Sequence, residues 1–151
     1  MNLLDILSPK AIKVPLKSND KEGAINELID QLEDLDLLSD ANQARQVVWE
    51  REQQRTTGIG EGLAIPHGKC KCCKDLVMAV GKPAEPIDYG AVDNKPVKLI
   101  VLLTSPPDKT ADHIQALGKV SRMMSDTSTR KAAYNAESAE QMYELFKKFS
   151  S

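Results

Sequence analysis

The stretch TTGIGEGLAIPHGK, Thr56 to Lys69, holds two hydroxyls, closely spaced glycines and a short apolar run that ends on a proline and a histidine. Glycines beside hydroxyls first suggest a phosphate-binding loop. A Walker loop needs a glycine five positions before its Gly-Lys pair and Ser or Thr after the lysine, but Leu63 and Cys70 stand there. Gly58, Gly60 and then Leu63 also miss the third glycine of the dinucleotide fingerprint. Neither nucleotide pattern is present, and the apolar run has to be explained by the histidine it leads to.

Pro66 fixes its own φ and pushes Ile65 into extended geometry, so a short strand over 63–65 delivers His67 rigidly, with Gly62 and Gly68 expected to leave room on either side. An imidazole titrates near pH 6.5, so much of it is neutral at pH 7 and can attack an electrophile. Thr56, Thr57 and the amides of Gly58 and Gly60 offer donors to an anion. Arg51, just before the loop, adds a cationic fork suited to a phosphoryl group. Together these residues predict a phosphoryl acceptor at His67, in preference to an incidental loop histidine. The second histidine, His113, falls near the start of a predicted helix. It is either a solvated first-turn residue or a further donor to the same phosphate.

His67 with Cys70, Cys72 and Cys73 also carries the ligand types that zinc prefers, but structural sites draw separated ligand pairs from different elements. No metal and no other cofactor is expected. The run KCKCCK reads as an exposed turn, and cysteines so close together cannot staple distant segments.

Outward from this stretch, Ile12, Val14 and Leu16 alternate with polar positions and predict a strand that Pro15 places at a sheet edge. Ser18-Asn19-Asp20 caps an amphipathic helix carrying Ala24, Ile25, Leu28, Ile29 and Leu32, which runs to the 35–38 region. Ser39-Asp40 caps a second helix to about Gln54, with Ala44, Val47, Val48 and Arg51 on one face. An arginine on that stripe requires an anionic partner, either a bound phosphoryl group or a carboxylate such as Glu52 or Glu61. Dense apolar runs over 76–80 and 97–103 predict the central strands, and 110–124 and 138–149 have helical periodicity. The expected fold is α/β, a single domain over 1–151 with a mixed sheet flanked by helices.

Composition agrees with this reading. The chain of 151 residues is 41% hydrophobic and 28% charged, with a formal net charge of -2 and no long single-sign block. That excludes disorder and makes nucleic acid an improbable partner. MNLLDILSPK lacks a basic leader, and no stretch approaches the roughly 18 apolar residues of a membrane span, so a cytoplasmic protein is expected.

Arg51-Glu52 followed by TGIGEGLAIPHG, Thr57 to Gly68, resembles the phosphorylation-site signature of the enzyme IIA domains of the bacterial phosphotransferase system, in the mannitol, fructose and nitrogen-regulatory class. PIDYG (Pro86 to Gly90), the following apolar strand and the helix led by His113 extend the similarity over nearly the whole chain. The resemblance implies that His67 takes a phosphoryl group from the histidine-phosphorylated carrier protein HPr, or its nitrogen-branch counterpart. From there the group passes to a IIB component of a sugar permease. The alternative it implies is regulatory, with phosphorylation switching the grip on a kinase or transporter. It further implies that Nε2 is the phosphorylated nitrogen, that Arg51 steadies the group and that His113 lies beside His67. The absence of a fused permease segment leans toward the nitrogen-regulatory type. The signature does not include KCKCCK.

Overall fold

The computed structural model describes residues 1–150. After a 3-10 turn at Leu3–Asp5, the elements are β1 (Leu7–Leu16), α1 (Lys21–Asp34), α2 (Ala41–Gln54), β2 (Gly58–Gly60), β3 (Leu63–Ala64), β4 (His67–Lys69), β5 (Val77–Pro83), β6 (Leu99–Ser105), α3 (Thr110–Ser125), α4 (Thr127–Tyr134) and α5 (Ala139–Ser150). α1 and α2 begin where short polar side chains take up their free amides, whereas α3 has no side-chain cap. Asp20 accepts from the Gly23 amide at 2.7 Å and Asp40 from the Gln43 amide at 3.0 Å. α1 buries the stripe Ala24, Ile25, Leu28, Ile29 and Leu32, each large member contributing about 1.5–3 kcal/mol. α4 carries no apolar stripe and buries only Ala133, which is why periodicity does not reveal it.

The strands form one mixed sheet in the order β1-β5-β6-β3-β2, with β4 also pairing with β6. β1 lies at the edge, as Pro15 predicts, but it starts at Leu7 rather than Ile12. β5 and β6 are the antiparallel centre that the apolar runs predict. Every residue of β6 is buried, so both faces of the sheet are covered there. α1 and α2 pack together onto β1, β5, β6 and β4, while α3, α4 and α5 form a second group that reaches β6 through α3 and β1 through α5. This is the expected single α/β domain. Among the described residues no helix is long and apolar enough to cross a membrane.

The short strand expected over 63–65 is present as β3, which ends at Ala64, and a further strand begins at His67. β3 pairs parallel with β6 at Leu63–Leu99 and Ala64–Ile100, and β4 resumes the same pairing at His67–Leu103 and Gly68–Thr104. The interruption at Ile65-Pro66 follows from chemistry: proline has no N–H for the ladder, though its carbonyl still accepts from the Leu103 amide at 3.0 Å. His67 is therefore the first residue of a strand.

The cysteines are buried, not in an exposed turn. Cys70, Cys72 and Cys73 are 2%, 3% and 4% exposed, because the Cys72 carbonyl accepts both the Ser39 amide, at 2.7 Å, and the Ser39 hydroxyl, at 3.1 Å, which draws the turn under the start of α2. A disulfide joins Cys70 to Cys72, two positions apart, and so links no distant segments.

Two glycines do not play the part expected of them. Gly62 and Gly68 were to leave space around the imidazole. A Cβ on Gly62, whose φ is +85°, would meet the Tyr134 ring, and one on Gly68 would stand 3.0 Å from Val47 Cγ2 and 3.2 Å from the Val47 backbone. Gly68 thus lets α2, with Arg51, lie directly on β4. Gly68→Ala is expected to lower stability by about 1–3 kcal/mol through overpacking, read as a fall in the urea midpoint. Gly118→Ala is the control. Its Cβ would meet nothing nearer than 4.0 Å, and in mid-helix it should stabilise by about 0.5–1 kcal/mol.

Candidate functional site

His67 is half-buried at the head of β4, and its Nδ1 lies 2.8 Å from the Ile65 carbonyl oxygen. A carbonyl can only accept, so Nδ1 carries the proton and donates, which leaves Nε2 with a free lone pair. His113, in the first turn of α3 and 4% exposed, is buried and not solvated. Its Nδ1 is 2.6 Å from the hydroxyl of Ser105, the last residue of β6. The two imidazole rings meet edge to face, with centroids 5.2 Å apart and planes at 67°.

Electrostatics keep both rings neutral at pH 7. Burial holds the His67 pKa below its ordinary value, and the Arg51 cation adds to this despite the Ile65 carbonyl and Glu52 acting against it. For His113, burial first, and then the nearby His67 and Lys69, push the pKa down to about 4.

Arg51 sits at the edge of the α2 stripe, half-buried, with Nη1 donating to the Arg55 carbonyl at 2.7 Å. Neither carboxylate weighed as its partner holds it: Glu52 pairs with Lys21 at 2.7 Å, and Glu61 lies 3.9 Å from Arg130. Arg51 and His67 border two hollows. One, of about 360 Å³, adds Arg55, Thr56, Ile59 and Val92. The other, of about 430 Å³, adds Lys69, His113 and Ile114. Ile59, Val92 and Ile114 are 48%, 52% and 64% exposed, an unusual display for large apolar side chains.

Part of the expected anion cradle is turned to other work. Thr57 is buried; its hydroxyl donates to Glu52 Oε2 and lies 2.9 Å from the Tyr89 hydroxyl. The Gly58 amide donates to the Thr56 hydroxyl oxygen at 3.1 Å, and a Cβ on Gly58 would strike Ala91 at 2.7 Å. Gly60, at φ +105°, turns the β2–β3 hairpin beside Asp93. Thr57, Gly58 and Gly60 thus shape the loop, while the Thr56 hydroxyl keeps its own proton to donate toward the hollow. Sequence reasoning named Glu52 only as a possible partner of Arg51 and within the signature, and Tyr89 only within PIDYG, and it missed Lys21, Ser105 and Arg55. The step of Ala41, Ala44, Val48 and Glu52 along one buried stripe of α2 also flags Glu52 as buried. Among the described residues no group of three or more His, Cys, Asp or Glu side chains is placed to hold a metal ion.

The sequence profile of the family described as phosphoenolpyruvate-dependent sugar phosphotransferase system, EIIA 2, matches residues 5–149. The nitrogen regulatory protein of Bradyrhizobium diazoefficiens is 32% identical over 145 residues, covering 96% of this chain and 94% of that protein. The fructose-specific EIIABC component of Bacillus subtilis is 29% identical over 145 residues; the match covers 96% of this chain but only 23% of that longer protein. Among solved structures, the nitrogen regulatory protein IIA-Ntr of Neisseria meningitidis superposes with a TM-score of 0.87 at 29% identity, covering 94% of this chain and 97% of that one.

The depressed histidines make stability pH-dependent with a definite sign. The unfolded chain takes up protons near pH 6.5, before the folded chain does, so stability is full above pH 6.5 and is lost as pH falls toward about 4. The His113 contribution is on the order of 2 kcal/mol after allowance for screening. Urea midpoints should decline over that window, and His113→Gln should flatten the decline.

Proposed function

This chain belongs to the EIIA 2 family of the phosphoenolpyruvate-dependent sugar phosphotransferase system, a family of phosphoryl carriers, and we propose that His67 is the residue that carries the group. The observation that supports this most directly is the Nδ1–H bond to the Ile65 carbonyl, which exposes Nε2 as the nucleophile. The Nε2 lone pair attacks the phosphorus of an HPr-type phosphohistidine, or of its nitrogen-branch counterpart. The N–P bond to His67 forms as the donor's breaks, and the bonding pair returns to the donor imidazole. The proton on Nδ1 stays in place against the carbonyl throughout.

Four groups would hold the dianion. Arg51 exchanges its bond to the Arg55 carbonyl for phosphoryl oxygens, and each charge-assisted bond is worth about 1.5–3 kcal/mol. Arg55 and the Thr56 hydroxyl face the same hollow. In the tautomer in which Ser105 donates to Nδ1, neutral His113 presents its Nε2–H from the other side. The exposed Ile59, Val92 and Ile114 ring this mouth and suit a partner protein that shuts water away from the labile P–N bond.

Downstream, the likeness to a fructose-specific EIIABC component supports transfer to a IIB domain and its IIC permease. The likeness to a nitrogen regulatory protein over most of that protein's length supports the second reading, in which the phosphorylated and free forms differ in their grip on a kinase or transporter. Affinity capture with wild type and His67→Ala separates the two. A permease component retained from membranes supports transport, and a kinase or a transporter of another class supports regulation.

With phosphoenolpyruvate, enzyme I and HPr supplied, wild type should gain one acid-labile, base-stable phosphate by mass spectrometry, and His67→Ala none. Unchanged occupancy in the alanine variant would refute His67 as the acceptor.

Arg51→Lys keeps the charge but loses the planar fork, so the melting temperature should hold while rapid-quench transfer slows about tenfold. A destabilised Arg51→Lys protein with a normal transfer rate per folded molecule would assign Arg51 a structural part instead.

A further inference from the structure

Glu52 is 3% exposed, yet it is a carboxylate, follows directly after Arg51 in α2 and sits among polar partners from three parts of the chain. Lys21 of α1 approaches it at 2.7 Å. The Thr57 amide donates to it at 3.0 Å, the Thr57 hydroxyl donates to its other oxygen, and the Tyr89 hydroxyl donates to that oxygen at 3.3 Å. The Lys21 ammonium also lies 4.5 Å from the centroid of the Tyr89 ring. Burial works to raise the Glu52 carboxyl, but the hydrogen bonds from Lys21 and Thr57 outweigh it and hold the pKa below the ordinary carboxylate value, so the group is ionised at pH 7. A buried ion pair is a poor source of stability, since apolar residues of similar size often do as well or better. Its retention in a core of this quality calls for another reason.

That reason lies in where Thr57 leads. The Thr57 carbonyl accepts the Ile65 amide at 3.0 Å, and the Ile65 carbonyl accepts Nδ1–H of His67 at 2.8 Å. A continuous series of contacts therefore runs from the Lys21–Glu52 pair through Thr57 and Ile65 to the nitrogen of the nucleophile that does not react. We infer that Glu52 is a positioning residue for phosphoryl transfer, which through Thr57 and Ile65 sets the orientation and tautomer of the His67 imidazole. The inference rests on the phosphoryl-acceptor reading of His67 and assigns that reaction a further residue.

The charge of Glu52 has a second consequence. When Nε2 forms its bond to phosphorus, the ring still carries the Nδ1 proton and becomes cationic. The charges that act on the His67 ring are those of Arg51 and Glu52 on α2; Arg55 after α2, Glu50 on α2 and Lys69 on β4 also line the hollows it borders, with the neutral His113 facing it from α3. Glu52 opposes Arg51 at the ring and favours the cationic phosphorylated form. A carboxylate behind an imidazole that orients it without exchanging its proton is a recurrent arrangement in nucleophilic sites. Here the connection is made by backbone carbonyls and amides instead of direct contact.

The test compares wild type, Glu52→Gln and the double variant Lys21→Met/Glu52→Gln, which leaves no buried charge unpaired and carries the test if the single variant does not fold. Long-range ¹⁵N NMR reads the His67 tautomer and titration midpoint without any phosphoryl donor. Rapid quench with phosphorylated HPr reads transfer. In Glu52→Gln the His67 midpoint should move down and the Nδ1–H tautomer lose its exclusive population. Maximal transfer should fall about tenfold while the donor concentration at half-saturation stays unchanged. A folded variant with wild-type tautomer, midpoint and transfer rate overturns the inference. A wild type that accepts no phosphoryl group, whatever the NMR of the variants, overturns the function proposed above instead.

Discussion

The pairing of one short segment with β6 governs both the fold and the site. From Leu63 to Lys69 the chain runs beside β6, yields one rung at Pro66 and resumes at His67. Because β6 is buried along its whole length, that register cannot slip without turning apolar side chains toward water. On the other side of the segment the Thr57 amide is taken by Glu52, and the Ile65 carbonyl accepts from the histidine two residues on. Both histidines are hung from the same strand: Ser105 at its end anchors His113, and β4 at its side carries His67. α2 brings Arg51 as close as it does because Gly68 offers no Cβ to keep it away.

Charge is then distributed with economy. Two imidazoles 5.2 Å apart would repel if protonated, and burial prevents that at neutral pH. Arg51, the cation that borders both hollows, donates to a carbonyl, an acceptor it can give up when an anion arrives. The anion, Glu52, is held on the far side of Thr57 by Lys21, so it neither neutralises the arginine nor repels a phosphoryl group directly. The exposed Ile59, Val92 and Ile114 complete the rim of the hollows.

Much of this was legible in the sequence, and the parts that were not have physical reasons. Helices α1 and α2 announce themselves by Asp20, Asp40 and their apolar stripes, because capping and amphipathicity are local properties. The central strands β5 and β6 announce themselves by unbroken Val, Ile and Leu runs. α4 does not, since it buries a single alanine. Burial of the cysteine turn was hidden because it depends on Ser39, more than thirty positions away, closing over the Cys72 carbonyl. Thr57, Gly58 and Gly60 look like anion donors when only their types and spacing are seen. In the folded chain Glu52 and Thr56 already occupy polar groups of Thr57 and Gly58, and Gly60 turns the hairpin beside Asp93.

The sequence by itself determined the α/β class, the arginine and the histidine presented by a proline, since composition, periodicity and the fixed φ of proline act within a few residues. Tertiary structure alone decided that His113 is buried against Ser105 and that Arg51 pairs with neither Glu52 nor Glu61. Each depends on a partner brought from another element, as Ser105 of β6 is to His113 of α3 and Lys21 of α1 is to Glu52 of α2. A hydrogen bond is made or lost within about half an ångström, a distance that no spacing along the chain can specify.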